Sequence, residues 1–226
     1  QSLYSPIYLI VTALWCPSPV DSVLIFDGTN IDIKEFVVIK KCGIKFLGRA
    51  SGIWKGEMPD EEHFRLSRVC AEKIHAADPE IILQACIFEA IYADDLASTK
   101  VPERVFEAFD LKPVDRCFNF EDACLWPANA DGFSFPDISK TETQMWFYYR
   151  GINYIDCGYE AFHMGQIHLY TARDRSLDCI AKVISMLREY GSLHARRHKV
   201  IFDAHSHSLV KNGVSLLDYN AMPFTR

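Results

Sequence analysis

The chain has 226 residues, of which 49% are apolar and 24% charged, so it is long enough to bury the core of one large domain. A formal net charge of −6 argues against a nucleic-acid binder, because such proteins usually present a basic face. No apolar run reaches about 18 residues, so no membrane span is expected. None of the eight cysteines has C-x-x-C spacing, so no zinc site built from cysteines is expected. We expect a soluble protein, either cytoplasmic or exported with its leader already removed, whose oligomeric state the composition leaves open.

The first part of the chain predicts one βαβ unit. Residues 22–26 form an apolar run typical of a strand, and residues 31–41 have helical apolar spacing. A second strand is predicted over 44–48. Arg49 and Trp54 follow this strand, so we expect both at its carboxyl end as candidate substrate-binding residues.

A helix and a buried strand are predicted next. Pro59 and the acidic residues after it predict the start of a helix over 60–77, because acidic side chains stabilise the positive end of a helix. The apolar run 81–88 then predicts a strand that is covered on both faces and ends at Glu89.

The middle of the chain contains a long segment with few signs of regular structure. A short helix is predicted around 103–109, and residues 110–138 follow it without a clear pattern. Loops of this length are usually functional, so 110–138 is a candidate lid. The sequence Ser139-Lys140-Thr141-Glu142 is a capping box that predicts the start of another helix. The apolar run 152–160 then predicts a strand that ends at Glu160.

The last third of the chain predicts one further helix and two further strands. The helix covers residues 174–196 and uses apolar residues at helical spacing for its buried face. A strand over 200–203 ends at Asp203, and another is predicted over 214–219.

The alternation of strands and helices predicts an α/β protein with a parallel sheet, either closed or open and doubly wound. We prefer a parallel (β/α) TIM-type barrel, since no glycine-rich phosphate turn follows the first strand. Residues 1–226 are then a single barrel domain. A full barrel typically needs about 250 residues, so this one is expected to be incomplete, with one or two units missing at the C-terminus.

Two glutamates are the candidate catalytic residues. Glu89 and Glu160 each end a predicted strand, and the carboxyl ends of barrel strands share one rim. Glycoside hydrolysis uses two carboxyl groups across the scissile bond, one as acid and one as nucleophile or base. Aromatic, amide and imidazole side chains near the predicted rim are candidate sugar-binding groups. These candidate substrate-binding residues are Arg49, Trp54, Trp126, Tyr159, His163, Gln166, Asp203 and His205.

In layout the chain resembles the (β/α)-barrel glycoside hydrolases, through Glu89, Glu160, the rim residue Trp54, and His163 with Gln166. The resemblance covers most of the chain in architecture and is weak in motif. It implies a hydrolase that acts on a carbohydrate or another small polar substrate and needs no cofactor.

Two alternatives stay open. Asp203, His205 and His207 resemble the D-x-H-x-H motif of the PHP and amidohydrolase families, which implies a metal-dependent hydrolase with a divalent ion such as Zn or Mn. The chain could also be a carbohydrate-binding barrel without catalytic activity.

Overall fold

The computed structural model of the protein describes residues 39, 41, 43–48, 50, 59–87, 90–206 and 209–220. The helices are α1 (Asp60–Ala77), α2 (Ala93–Ser98), α3 (Glu103–Ala108), α4 (Phe120–Ala123), α5 (Thr141–Cys157), α6 (Ile167–Tyr170) and α7 (Asp178–His194). The strands are β1 (Phe46–Leu47), β2 (Ile82–Cys86), β3 (Ile91–Tyr92), β4 (Phe133–Ser134), β5 (Ala161–His163), β6 (Ile201–Ala204), β7 (Val210–Lys211), β8 (Val214–Ser215) and β9 (Tyr219–Asn220). The predicted strand at 22–26 and most of the predicted helix at 31–41 lie outside the described residues.

Several predicted elements are confirmed. Helix α1 begins directly after Pro59 and carries three acidic residues in its first turn. Strand β2 lies within the predicted run 81–88, and β6 overlaps the predicted strand 200–203 and ends one residue after it. Helix α7 begins four residues later than predicted, because the Asp174 carboxylate accepts hydrogen bonds from the backbone N–H groups of residues 179 and 180.

The predicted strand over 152–160 is wrong, because most of this run is the second half of helix α5. Fourteen of the 17 residues of α5 are buried, since the helix packs against α1 on one side and α7 on the other. A helix buried on nearly every side has an almost continuous apolar sequence, which periodicity cannot distinguish from a buried strand. The helix ends at Gly158, which adopts a left-handed conformation with φ of 102°. The next strand, β5, begins only at Ala161, so Glu160 precedes a strand instead of ending one.

The main sheet has five parallel strands in the order β1-β2-β5-β6-β9. The prediction of a TIM-type barrel is therefore wrong for the described residues, whose sheet is an open, curled half-barrel and not a closed ring of eight strands. Two predicted strands differ in the structure. Most of the run 152–160 is helical, and the predicted strand 214–219 is divided between the hairpin strand β8 and the sheet strand β9.

Side-chain contacts between distant strands show how strongly the sheet curls. The Gln84 side chain on β2 donates a 3.0 Å hydrogen bond to the Tyr219 hydroxyl on β9, although β5 and β6 lie between them. In a flat sheet these two strands would be about 14 Å apart, given a spacing of about 4.8 Å between neighbours. The rings of Phe46 on β1 and Tyr219 are 6.1 Å apart, so the first and last strands also approach each other. The sheet therefore has a concave face.

The opposite, convex face is apolar and is covered by helices. Phe162 and Phe202 on neighbouring strands are fully buried and stack at 5.3 Å. Arg188 of α7 lies over the Phe202 ring at 5.5 Å, which places α7 on this face. Helix α5 packs against α7 and α1, so the main core lies between the sheet and these three helices.

Arg150 on α5 is a buried charge in this helical layer. Its Nη1 atom lies 2.6 Å from Oδ1 of Asp60 at the start of α1, and its Nη2 donates to the Tyr154 hydroxyl at 3.1 Å. The guanidinium group lies over the rings of Phe64, Trp146 and Tyr154 at 5.2–5.6 Å. Burial disfavours the charged form of Arg150, but Asp60 and Tyr154 outweigh this effect and raise its pKa.

The segment 110–138 has more regular structure than its sequence predicts. It contains α4 and β4, and isolated bridges join Lys100 to Cys117 and Cys124 to Pro136. Helix α4 packs against α5 and α2. The role of this segment as a lid stays a prediction. Within the ranges that the structure describes, no helix is long and apolar enough to span a membrane.

The close contact between α7 and the start of β6 depends on Gly191. A Cβ atom at this position would lie 2.8 and 2.9 Å from the two γ-carbons of the buried Val200. Valine is stiff about χ1 and cannot easily turn aside. We expect Gly191→Ala to lower the free energy of unfolding by about 1–3 kcal/mol, as overpacking usually does, measured by urea denaturation.

Two control variants make this prediction specific to the contact. Ser192→Ala changes the exposed neighbour and should alter stability by less than about 0.5 kcal/mol. In a Val200→Ala background, Gly191→Ala should no longer be destabilising. An unchanged urea midpoint for Gly191→Ala alone would contradict the prediction.

Candidate functional site

Four side chains from four neighbouring strands form a row on the concave face. The strand register places Cys86 of β2 beside His163 of β5, His163 beside Asp203 of β6, and Asp203 beside Tyr219 of β9. Neighbouring residues in a parallel register point to the same face of the sheet. Cys86 and His163 are the last residues of their strands. This carboxyl-edge row therefore lies where parallel α/β proteins usually bind ligands.

Asp203 is the centre of the carboxyl-edge row. Its side chain is 1% exposed, and both of its carboxylate oxygens have partners. Oδ1 accepts a hydrogen bond from the side-chain amide of Gln84, and Oδ2 lies 2.8 Å from Nδ1 of His163. With the proton on Nδ1, this contact is a hydrogen bond that fixes the orientation of the imidazole and leaves the lone pair on Nε2.

Tyr219 and His205 complete the surroundings of this pair. Burial and the nearby Asp203 raise the pKa of Tyr219, so its hydroxyl stays protonated at neutral pH. The ring of His205 lies 4.6 Å from the ring of His163, and its backbone N–H donates to the carbonyl of Gly165. Gly165 has a φ of 60°, which favours glycine at this close turn.

Glu160 lies away from this group, at the amino edge of the sheet. It comes directly before β5, and its backbone N–H donates to the carbonyl of Leu83. Its buried carboxylate pairs with Arg196 at 3.2 Å and also with Arg197, both of which precede β6. Its other oxygen, Oε1, has no hydrogen-bond partner within the part of the chain that the structure describes. Glu160 therefore forms an ion-pair cluster at the edge opposite the carboxyl-edge row.

The other predicted site residues lie in different places. Tyr159 is fully buried, and its hydroxyl donates to the carbonyl of Ala50 at 3.2 Å. Gln166 is exposed at the start of α6, close in sequence to the turn at Gly165. Trp126 is 58% exposed on the segment between α4 and β4. Of the predicted substrate-binding residues that the structure describes, only His163, Asp203 and His205 lie together.

Glu89, Arg49, Trp54 and His207 lie outside the described residues, so their predicted roles stay predictions. Glu89 comes three residues after the end of β2. The backbone N–H of Ile87, between them, donates to the carbonyl of His163 at 3.0 Å.

A divalent metal was predicted as an alternative with Asp203, His205 and His207 as ligands. No group of three histidine, cysteine, aspartate or glutamate side chains suited to a metal occurs among the residues with described positions. Both oxygens of Asp203 already have protein partners, so a metal bound there would share these oxygens with Gln84 and His163. The metal site stays a prediction.

The sequence interpretation missed Gln84 and Cys86. Both lie inside the apolar run 81–88, two residues apart, as expected for side chains on one face of a strand. A polar glutamine in the middle of a buried strand needs a hydrogen-bond partner, so Gln84 was itself a signal of a polar group on the concave face.

Comparisons with known proteins give no further guide to this site. No protein-family model matches the chain, and no curated protein matches it in sequence.

Proposed function

We propose that the chain is a hydrolase that cleaves a glycosidic bond in a carbohydrate at the carboxyl edge of the curled sheet. The observation that supports this most is the buried pair of Asp203 and His163, with their side-chain atoms 2.8 Å apart in the middle of the carboxyl-edge row. A carboxylate that fixes the orientation of an imidazole is a recurrent arrangement for a general base.

Hydrolysis of a glycosidic bond needs an acid on one side of the bond and a base on the other. We assign the base to His163, which takes a proton from the attacking water through Nε2 while Asp203 stabilises the resulting imidazolium. We assign the acid to Glu89, which gives its proton to the oxygen of the departing sugar as the C–O bond breaks. Glu160 has no part in this scheme, because it belongs to the cluster at the amino edge.

The surroundings of the pair suit a substrate rich in hydroxyl groups. Gln84, Tyr219 and His205 supply amide, phenol and imidazole groups within the same small region. The ring of Phe46 packs against Tyr219 and adds an apolar surface beside them. Sites for small polar ligands commonly combine a few polar groups with aromatic surface in this way.

A matched pair of variants tests the proposal. The assay measures turnover of a panel of 4-nitrophenyl glycosides, with the melting temperature of each variant as a second readout. Glu89→Gln should lower kcat by about 10²–10⁴-fold, the usual contribution of general acid catalysis, with little change in melting temperature. Glu160→Gln should keep its kcat, but it should lose about 1–3 kcal/mol of stability because Arg196 and Arg197 lose a charged acceptor.

The opposite pattern would refute the assignment. If Glu89→Gln keeps full activity, Glu89 is not the acid. If Glu160→Gln is stably folded but inactive, the catalytic group is Glu160 at the amino edge of the sheet. If no glycoside in the panel is cleaved but some raise the melting temperature, the chain binds carbohydrate without hydrolysing it.

A further inference from the structure

Four partly exposed aromatic rings form a continuous strip outside the main sheet. Tyr92 and Phe133 are 5.7 Å apart, Phe133 and Phe135 are 6.4 Å apart, and Phe135 and Trp126 are 6.1 Å apart between ring centres. We call these four residues the aromatic strip. Neighbouring rings meet at angles of 57–90°, so their faces are presented in alternating directions.

The backbone around the aromatic strip holds the rings in place. Strands β3 and β4 pair antiparallel with Tyr92 opposite Phe133, and Phe135 lies two residues further along the same face. The N–H of Leu125 donates to the carbonyl of Phe135 at 2.9 Å, which brings Trp126 beside this ring. The aromatic strip is therefore formed before any ligand arrives.

A single asparagine closes the turn below the rings. The side-chain oxygen of Asn129 accepts hydrogen bonds from the backbone N–H groups of Asp131 and Phe133, at 3.0 and 3.1 Å. Gly132 at the same turn has a φ of 79°, in the left-handed region that glycine adopts without strain. This turn fixes the start of β4 and with it the position of Phe133.

The exposure of these rings is unusual for a short antiparallel pair. The other face of β4 turns inward, where Ser134 is 5% exposed and Pro136 is buried. Such a pair normally directs its apolar side chains to the core and its polar ones to water. Here Trp126 is more than half exposed and the other three rings are partly exposed. A contiguous exposed apolar patch of this kind usually marks a binding surface.

The charges around the aromatic strip restrict what can bind to it. Burial, Asp95 and Asp131 raise the pKa of Tyr92. Asp94 and Asp131, which lie two residues from Tyr92 and Phe133 in sequence, are exposed and add negative charge at this end of the aromatic strip. An acidic surface repels nucleic acids, anionic lipids and acidic glycans. Aromatic faces among amide, hydroxyl and carboxylate groups suit an uncharged, hydroxylated ligand.

The aromatic strip also begins close to the proposed hydrolytic site. Tyr92 follows Cys86, the last residue of β2, by six positions, so the two lie at most about 20 Å apart. We propose that the aromatic strip binds a neutral polysaccharide chain, each ring packing against one sugar unit. This inference rests on the proposed function, and it makes the substrate a polymer and not a single sugar or disaccharide.

Native gel electrophoresis in the presence of polysaccharide tests the inference with the full chain. Each gel contains one neutral polymer, namely galactomannan, xyloglucan, arabinoxylan, hydroxyethylcellulose or soluble starch. We expect at least one polymer to slow the wild-type protein. Trp126→Ala and Phe135→Ala should each raise the dissociation constant at least tenfold, and Trp126→Tyr should retain most of the affinity. Leu193→Ala is the matched control, because it removes an equally exposed apolar side chain at the end of α7.

Each outcome separates the aromatic strip from the hydrolytic site. If Phe135→Ala loses polymer binding but still cleaves 4-nitrophenyl glycosides, both proposals are supported. Polymer binding without any glycoside cleavage would support the aromatic strip and contradict the hydrolase. If no polymer slows the wild-type protein, the inference is wrong. It is also wrong if a polymer slows Trp126→Ala as much as it slows the wild type. A dimer in light scattering that Trp126→Ala dissociates would overturn it too, since the strip would then be an interface between two copies of the chain.

Discussion

Replacing Asp203 with asparagine is expected to lower kcat about 10⁴-fold, the scale known for the orienting aspartate of a histidine–aspartate pair, while the protein stays folded. The asparagine oxygen can still accept the hydrogen bond from Gln84 at Oδ1. Its amide nitrogen would then face Nδ1 of His163, where the carboxylate oxygen Oδ2 lies in the wild type. Two donors cannot pair, so the imidazole proton would move to Nε2, and the ring could no longer accept a proton from water.

Measurements on Asp203→Asn should include kcat over the whole pH range in which the wild type is active, together with the melting temperature. Because the defect is the wrong tautomer, raising the pH should not restore the rate. Asp137→Asn is a suitable control, since Asp137 is also 1% exposed and accepts hydrogen bonds from Ser139 and Arg173. A kcat of Asp203→Asn within tenfold of the wild type would end the assignment of His163 as the base.

Replacing Arg150 with methionine is expected to lower the free energy of unfolding by about 3–5 kcal/mol. The substitution leaves the largely buried Asp60 without its cation, and Oδ2 of Asp60 already has no hydrogen-bond partner within the described part of the chain. For a chain of this length we expect the melting temperature to fall by roughly 10 °C. Differential scanning calorimetry and urea denaturation both measure the effect.

Two further variants show whether the unpaired charge is the cause. Asp60→Asn combined with Arg150→Met should recover much of the lost stability, because neither of these two positions then carries a charge. Arg65→Met breaks the exposed pair with Glu62 and should leave the midpoint of urea denaturation nearly unchanged. A loss below 1 kcal/mol for Arg150→Met would show that the buried pair contributes no more than a surface pair does.

Local chemistry made part of this structure predictable from the sequence. The start of α1 follows from Pro59 and the acidic turn after it, and β2 and β6 follow from short apolar runs between polar residues. Asp203 is a candidate in the sequence because it ends a predicted buried strand, and His163 because its imidazole lies just beyond the predicted strand 152–160. The predicted position of Glu160 at the end of a strand is wrong, since α5 is buried on so many sides that its sequence lacks a helical pattern.

Other features depend on distances that no local pattern contains. The contact of Gln84 with Tyr219 joins residues 135 positions apart and exists only because the sheet curls. Strand spacing predicts that neighbours pair, but it does not predict how far a five-stranded sheet bends. The sequence does not predict the number of strands in the sheet either, because a closed barrel and a partly closed one have the same alternation of strands and helices.

The curl of the sheet also determines how the carboxyl-edge row is assembled during folding. The partners of Asp203 are Gln84 on β2 and His163 on β5, which are 119 and 40 positions away in the sequence. Tyr219, which binds Gln84, lies on β9 at the edge of the sheet. Contacts that span so much of the chain form slowly, because large loops must close first. No partly folded intermediate that lacks one of these strands can hold the complete constellation. The carboxyl-edge row is therefore complete only when β2, β5, β6 and β9 have all taken their places in the sheet.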